Sequence, residues 1–260
     1  MASTRRSVDI LFPVRVYTLG VNDEPIIIVG GLRSWKWQYR GLARTLRDLS
    51  GRTVHIAPLT PLDYIAGGIR GYGQLIFQIA STVDDALLNT ESKKAILIGH
   101  SIGGVASRVY IGGDPPYGGR RYAGHRRVSH LITLGSPHLA TNQKPPPAIE
   151  AANDLFPGAL HESSGLKYLS IAGSSTNGTD SKRARRHYER LVDDGRVSGD
   201  DIVPVESTLL PGTESLVLDD IHHSARHGKW YGTDRATVER WWPADLRTDA
   251  SQKSTVRGAS

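Results

Sequence analysis

The chain has no cysteine among its 260 residues, which excludes disulfides, thiolate nucleophiles and cysteine-based zinc sites. No stretch approaches the roughly 18 consecutive apolar residues that a membrane-spanning helix needs. The first residues, Met1-Ala-Ser-Thr-Arg-Arg, lead only to a brief Ile10-Leu-Phe before Pro13, too little for the apolar core of a secretory signal. The 10 histidines fall in no H-E-x-x-H or comparable spacing, so no metal site is expected. There is no internal repeat, and no low-complexity tract beyond Pro145-Pro-Pro147. The expected location is the cytoplasm, with peripheral membrane contact as an extension argued below.

What is present fits one sizeable α/β domain over residues 1–243. Residues 244–260 are polar and aperiodic, and are expected to form a disordered tail. The net charge of +6 clusters at Arg120-Arg121, Arg126-Arg127 and Lys182-Arg183-Ala-Arg185-Arg186. Such clusters are solvated surface or a means of attraction to an anionic lipid layer. Nucleic acid is not an expected partner, because no recognised binding motif is present and the arginines are not interleaved with aromatics.

Ile26-Ile-Ile-Val29 and Ala95-Ile-Leu-Ile98 are continuous apolar runs, as central parallel strands covered on both faces require. His130 to Leu134, Tyr168 to Ile171 and Leu216 to Leu218 repeat that character, and Val54 to Ile56 is a weaker member. Helical patterns lie between them at Tyr39 to Leu49, Gln74 to Leu88 and Ile102 to Tyr110. The alternation predicts an α/β fold with a mostly parallel central sheet and helices on both faces. Residues 140–165 and 173–199 are too long for ordinary α/β connections and are expected to be insertions forming a cap.

The third element of this pattern carries chemistry. Gly99-His100-Ser101-Ile102-Gly103 follows a strand and opens a helix, which is the context of a nucleophile elbow and makes Ser101 a candidate catalytic serine. A strand that turns abruptly into a helix crowds its own backbone, so the positions two before and two after the serine must lack a side chain. Gly99 and Gly103 meet that need. The amide of Ile102, at the helix start, can face an oxyanion. A second donor is expected from Val29-Gly30-Gly31-Leu32, where the glycines let the backbone approach substrate and the Leu32 amide donates. Trp35, Trp37 and Tyr39 follow as candidates for an acyl pocket or for core. A serine hydroxyl also needs a histidine within hydrogen-bond reach, and that histidine needs a carboxylate. Asp200-Asp201 and His222-His223 are the candidates, each pair in a loop after a strand, and the residues alone leave the choice within each pair open. His138, in Gly135-Ser-Pro-His138, is expected to have a structural or pocket-lining role.

Together these segments resemble the α/β-hydrolase lipases, most closely the cyanobacterial and plastid-type lipases, some of which act on galactolipids. The resemblance rests on Ile26 to Tyr39, Ile96 to Tyr110, Thr133-Leu-Gly-Ser-Pro-His138, and Gly199 to Tyr231. It implies the chain order serine, acid, histidine. It also implies Asp200 as the acid, matching a Gly-Asp-Gly-Ile-x-Pro pattern, and His223 as the base, matching an aromatic-His-Ser pattern. The chain departs from the pattern at Gly30, where proline is common, and at Asp201, where glycine is usual. Asp201 brings a second negative charge beside the acid, which raises the pKa of one of the two if both are buried. The implied activity is hydrolysis of carboxylic esters, of lipids above all, through an acyl-enzyme and without a cofactor. The alternatives are a small-ester or thioester hydrolase, and a hydrolase-like binding protein without turnover.

Overall fold

The computed structural model describes residues 24–248 apart from positions 71 and 143. Six strands form one sheet, β1 (Ile26–Val29), β2 (Val54–Ile56), β3 (Ala95–His100), β4 (Val128–Leu134), β5 (Lys167–Gly173) and, after a small hairpin, β8 (Glu214–Leu218). They lie in the order β2-β1-β3-β4-β5-β8, and every pair is parallel. The hairpin pairs β6 (Thr176–Asn177) with β7 (Ser198–Gly199) in antiparallel fashion.

The apolar runs form strands because both faces of the sheet are covered. Ile27, Val29, Leu97 and Leu131 pack with α3 (Gly73–Thr90) and α4 (Ile102–Gly112), through Leu75, Ile79, Val105 and Val109 among others. Ile26, Ile28, Ile96, Ile98 and Ile132 face the other way, onto Leu42 and Leu46 of α1 (Arg40–Ser50) and onto Trp241 and Trp242. Full burial of one such side chain stabilises by about 1.5–3 kcal/mol, so the sheet centre anchors everything at its rim. Five further α-helices lie among the described residues: α2 (Pro61–Arg70), α5 (Pro147–Leu155), α6 (Lys182–Tyr188), α7 (Val205–Thr208) and α8 (Arg235–Glu239).

The register brings the C-terminal ends of the strands to one rim. Val29 lies opposite Gly99, His100 opposite Leu134, Leu134 opposite Ile171, and Gly173 opposite Leu218. The loops leaving these positions carry the candidate catalytic residues. Both long insertions leave the same rim, the first carrying α5 and the second carrying β6, α6 and β7.

Residues 244–248, placed in the expected tail, are part of the folded structure. Ala244–Leu246 form a short 3-10 turn, Leu246 is buried beside Trp241 and Trp242, and the Thr248 amide donates to the Leu49 carbonyl (3.1 Å). A single leucine in a polar stretch gives no compositional signal, yet it anchors the segment under α1. Residues 249–260, and the Ile10 to Pro13 segment weighed as a leader, lie outside the described residues.

Candidate active site

Ser101 stands where β3 turns into α4, with φ 55° and ψ −135°, a conformation that non-glycine residues rarely adopt and that costs on the order of 1–3 kcal/mol. The crowding that demanded glycines is specific. A Cβ at Gly103 would lie 2.5 Å from the carbonyl oxygens of both Val29 and Gly30, and one at Gly99 would lie 2.4 Å from the Gly104 Cα. The Ser101 amide is tied to the Leu134 carbonyl (2.9 Å), which fixes the elbow against β4.

His223 bridges Ser101 and Asp200. Its Nε2 lies 3.0 Å from Ser101 Oγ and its Nδ1 lies 2.8 Å from Asp200 Oδ2. With Nδ1–H donated to the carboxylate, Nε2 is left as an acceptor facing the hydroxyl. Asp200 is fully buried and its oxygens are saturated. Tyr231 Oη donates to Oδ2 (2.9 Å), while the amides of Val203 (2.8 Å) and Ile202 (3.2 Å) donate to Oδ1. A carboxylate with that many donors is held rigidly behind the imidazole ring. The His223 amide itself donates to the Asp200 carbonyl (2.7 Å).

A buried chain of hydrogen bonds connects this group to the glycine loop. The Gly31 amide donates to Tyr39 Oη (3.0 Å), which lies 2.8 Å from His100 Nδ1, and His100 Nε2 lies 3.0 Å from the His223 carbonyl. Burial, reinforced by the nearby His223, pulls His100 down to about 3, so its ring is neutral. Burial also raises the Tyr39 pKa and keeps the phenol protonated. His100 Nε2–H donates to the His223 carbonyl, which leaves Nδ1 as an acceptor facing Tyr39 Oη; the phenol also bonds to Ser34 Oγ (3.1 Å). Because the Gly31 amide is occupied, Leu32 is the next amide in the loop with a candidate oxyanion role. The Ile102 amide is the other candidate, in the first turn of α4, where amides lack helical partners.

The remaining expected site residues fare differently. A Cβ on Gly31 would lie 2.7 Å from the Ser101 Cβ, so that loop does approach the nucleophile. Trp35 and Trp37 are neither core nor sealed pocket; they are exposed, as is Leu32, while Tyr39 is the buried member of the group. His138 does not line a pocket. It has no exposed surface, its Nε2 meets Thr133 Oγ1 (3.0 Å), and its Nδ1 faces the buried Arg108 guanidinium (3.4 Å). Burial, with the Arg108 charge added, holds His138 well below the usual histidine range. A narrow apolar crevice lined by Ile102, Val105, Ala106, Tyr64 and Ile76 adjoins the start of α4. Among the described residues, no group of three or more His, Cys, Asp or Glu side chains is arranged to hold a metal ion.

Asp201 and Asp200 are both buried, and the Asp201 pKa lies below its usual value. Burial acts to raise it, and hydrogen bonds from Thr176 and His222 outweigh that and leave it below the usual carboxylate range.

Residues 65–197, just over half of the chain, match a family described as "Putative serine esterase (DUF676)". The chain belongs to the DUF676 family. That match includes the Ser101 elbow and stops short of Asp200 and His223. No curated protein matches the chain. Among solved structures, the "putative cell surface hydrolase" from Lactobacillus plantarum WCFS1 is similar at TM-score 0.52 and 12% identity, over 91% of this chain and 97% of that one. The lin2722 gene product of Listeria innocua is similar at TM-score 0.50 and 17% identity, over 88% of this chain and 96% of that one. At such identities the likeness carries the fold alone. This DUF676 chain therefore has an α/β-hydrolase fold, and its membership supports ester hydrolysis.

Sequence reasoning missed Tyr231 and the bonding role of Tyr39. Tyr231 belongs to the Trp-Tyr-Gly segment of the lipase resemblance, which was the available signal; Tyr39 had none, because its partner His100 is 61 residues away.

Proposed function

We propose that the protein is a serine acyl hydrolase in which Ser101 is the nucleophile, His223 the general base and acid, and Asp200 the carboxylate that orients it. The observation that carries this reading is the His223 ring standing 3.0 Å from Ser101 Oγ and 2.8 Å from Asp200 Oδ2. His223 Nε2 takes the Ser101 proton as Oγ attacks the ester carbonyl. The Leu32 and Ile102 amides receive the tetrahedral oxyanion, and Asp200 stabilises the imidazolium. His223 then protonates the departing alcohol oxygen. Water loses a proton to His223 while its oxygen attacks the acyl carbonyl, and the proton returns to Ser101 Oγ as the acid leaves. The mechanism calls for no cofactor or metal.

Within this class we favour a lipid ester, with a galactolipid-type head as the finer reading. The resemblance to plastid-type lipases supports it, as do the exposed Leu32, Trp35 and Trp37 on the loop that leaves Gly31. The two insertions act as the cap of a single hydrolase domain. Lys182, Arg183 and Arg186, exposed on α6, suit peripheral contact with an anionic membrane from the cytoplasm. No helix among the described residues is long and apolar enough to cross a membrane.

The test is turnover of p-nitrophenyl esters from short to long chains, beside Ser101→Ala and fluorophosphonate labelling. Turnover and labelling that both vanish in Ser101→Ala support the mechanism, and a long-chain optimum supports the lipid reading. Folded protein that neither labels nor turns over any ester refutes the mechanism.

A further inference from the structure

A second carboxylate–imidazole pair lies beside the first. His222 Nδ1 is 2.5 Å from Asp201 Oδ2, so two consecutive aspartates of one loop meet two consecutive histidines of another, Asp200 with His223 and Asp201 with His222. Only the inner pair reaches Ser101. The outer aspartate joins three separate pieces of the molecule, two through its carboxylate and one through its amide. Thr176 of β6 donates to its Oδ1 (2.6 Å), the Asp201 amide donates to Tyr188 Oη at the end of α6 (3.0 Å), and His222 donates to its Oδ2. His222 is in turn fixed by its amide, which donates to the Lys229 carbonyl (2.7 Å).

The backbone argues that this carboxylate is kept for what it binds. Asp201 has φ 82°, a left-handed position that glycine adopts without strain. An aspartate there bears a penalty that glycine avoids, and it places a charge next to the buried Asp200. Both oxygens are engaged and the side chain is 10% exposed, so the arrangement is not a solvated turn.

We propose that Asp201 and His222 are positioning residues: they clamp the histidine loop to the acid loop and to the second insertion, setting the distance from His223 Nε2 to Ser101 Oγ. The proposal rests on the Ser101–His223–Asp200 reading of the site. The His223 amide and carbonyl already bond to the Asp200 carbonyl and to His100, which fix where the peptide sits. The outer pair adds the side-chain tie one residue earlier, which resists rotation of the loop about those two points. A displacement near 1 Å at such a ring can lower the rate about 100-fold, so a loosened loop is expected to show in kcat.

The experiment uses Asp201→Gly and Asp201→Asn in the full chain, with ester turnover measured against wild type and Ser101→Ala. Asp201→Gly relieves the backbone while deleting the tie, and Asp201→Asn keeps an oxygen that can accept from His222. The expected result is a kcat lower by about 10- to 100-fold in Asp201→Gly with KM within about twofold, and recovery of most of that loss in Asp201→Asn. A thermal melt accompanies each variant. Asp201→Gly with wild-type kcat overturns the proposal, as does a loss that falls on KM instead. An Asp201→Asn variant as impaired as Asp201→Gly also overturns it, since charge and not the hydrogen bond would then be the cause. Should Asp201→Gly not fold, His222→Gln provides the same readout from the partner side, with a kcat loss expected and wild-type kcat refuting. Loss of wild-type turnover itself, or turnover that survives in Ser101→Ala, would strike the underlying hydrolase reading instead.

Discussion

Replacing Tyr39 by Phe removes one oxygen and leaves two buried polar groups without their partner. The ring is 2% exposed, so no water compensates directly. The Gly31 amide (3.0 Å) loses its acceptor and His100 Nδ1 (2.8 Å) loses its partner, while the half-buried Ser34 Oγ keeps its bond to the Gly31 carbonyl. Each orphaned group costs about 1–3 kcal/mol, and with partial relaxation the sum is about 2–5 kcal/mol. For a chain of this size 1 kcal/mol moves the melting midpoint by about 2–4 °C, so a fall of about 5–15 °C is expected by circular dichroism. The loss does not stay in stability. Gly31 precedes the Leu32 amide in the chain, and freeing it lets the oxyanion loop drift; kcat on a soluble ester is expected to drop about tenfold or more, measured well below the melting midpoint. A variant that melts within 2 °C of wild type and retains full kcat would refute the reasoning, because the hydrogen-bond chain would then bear no weight in either property.

Gly103→Ala forces a Cβ to within 2.5 Å of the Val29 and Gly30 carbonyl oxygens, which belong to a central strand and its loop. The variant is expected to lose more than about 4 kcal/mol or to be insoluble. Gly41→Ala, with nothing within 4 Å of the new atom inside α1, is expected to gain about 0.5–1 kcal/mol; equal melting of the two variants would contradict the close packing at the elbow. Acid should also destabilise the fold through His100 and His138, whose folded pKa values lie below the usual 6.5, His100 at about 3. The unfolded chain takes up those two protons as pH falls through 6.5 and the native state does not, so stability is full above that value and declines below it. At pH 5 His100 contributes a loss of about 2 kcal/mol, to which His138 adds in the same direction, and a melting midpoint that stays flat from pH 8 to pH 5 would rule this out.

The elbow was legible in the sequence because its requirement is local. Close approach of β3, α4 and β1 leaves no room for side chains at Gly99 and Gly103, and that spacing is written directly in the chain. The strands were legible for a similar reason, since burial on both faces leaves unbroken apolar runs such as Ile26 to Val29. Choosing between adjacent aspartates was not legible from the residues. Which one points at His223 depends on the left-handed turn at Asp201, a backbone angle that aspartate does not announce as glycine would. His138 takes a buried position, in keeping with the structural one of its two expected roles; its neighbour there, Arg108, an inward-facing cation at the middle of α4 that donates to Asn153 Oδ1 and the Phe156 carbonyl, was not legible. The segment after Ala244 was misjudged through one residue, Leu246, whose contribution is invisible to averaged polarity.

The bond between Ser101 and His223 spans 122 residues of chain. At ordinary rates of synthesis the serine leaves the ribosome on the order of ten seconds before its base exists. On the proposed mechanism the hydroxyl is an ordinary alcohol over that interval, and the nascent chain cannot cleave esters at whatever surface it first meets. The order of synthesis thus works as a time lock, with reactivity arriving together with the last strand that the sheet receives.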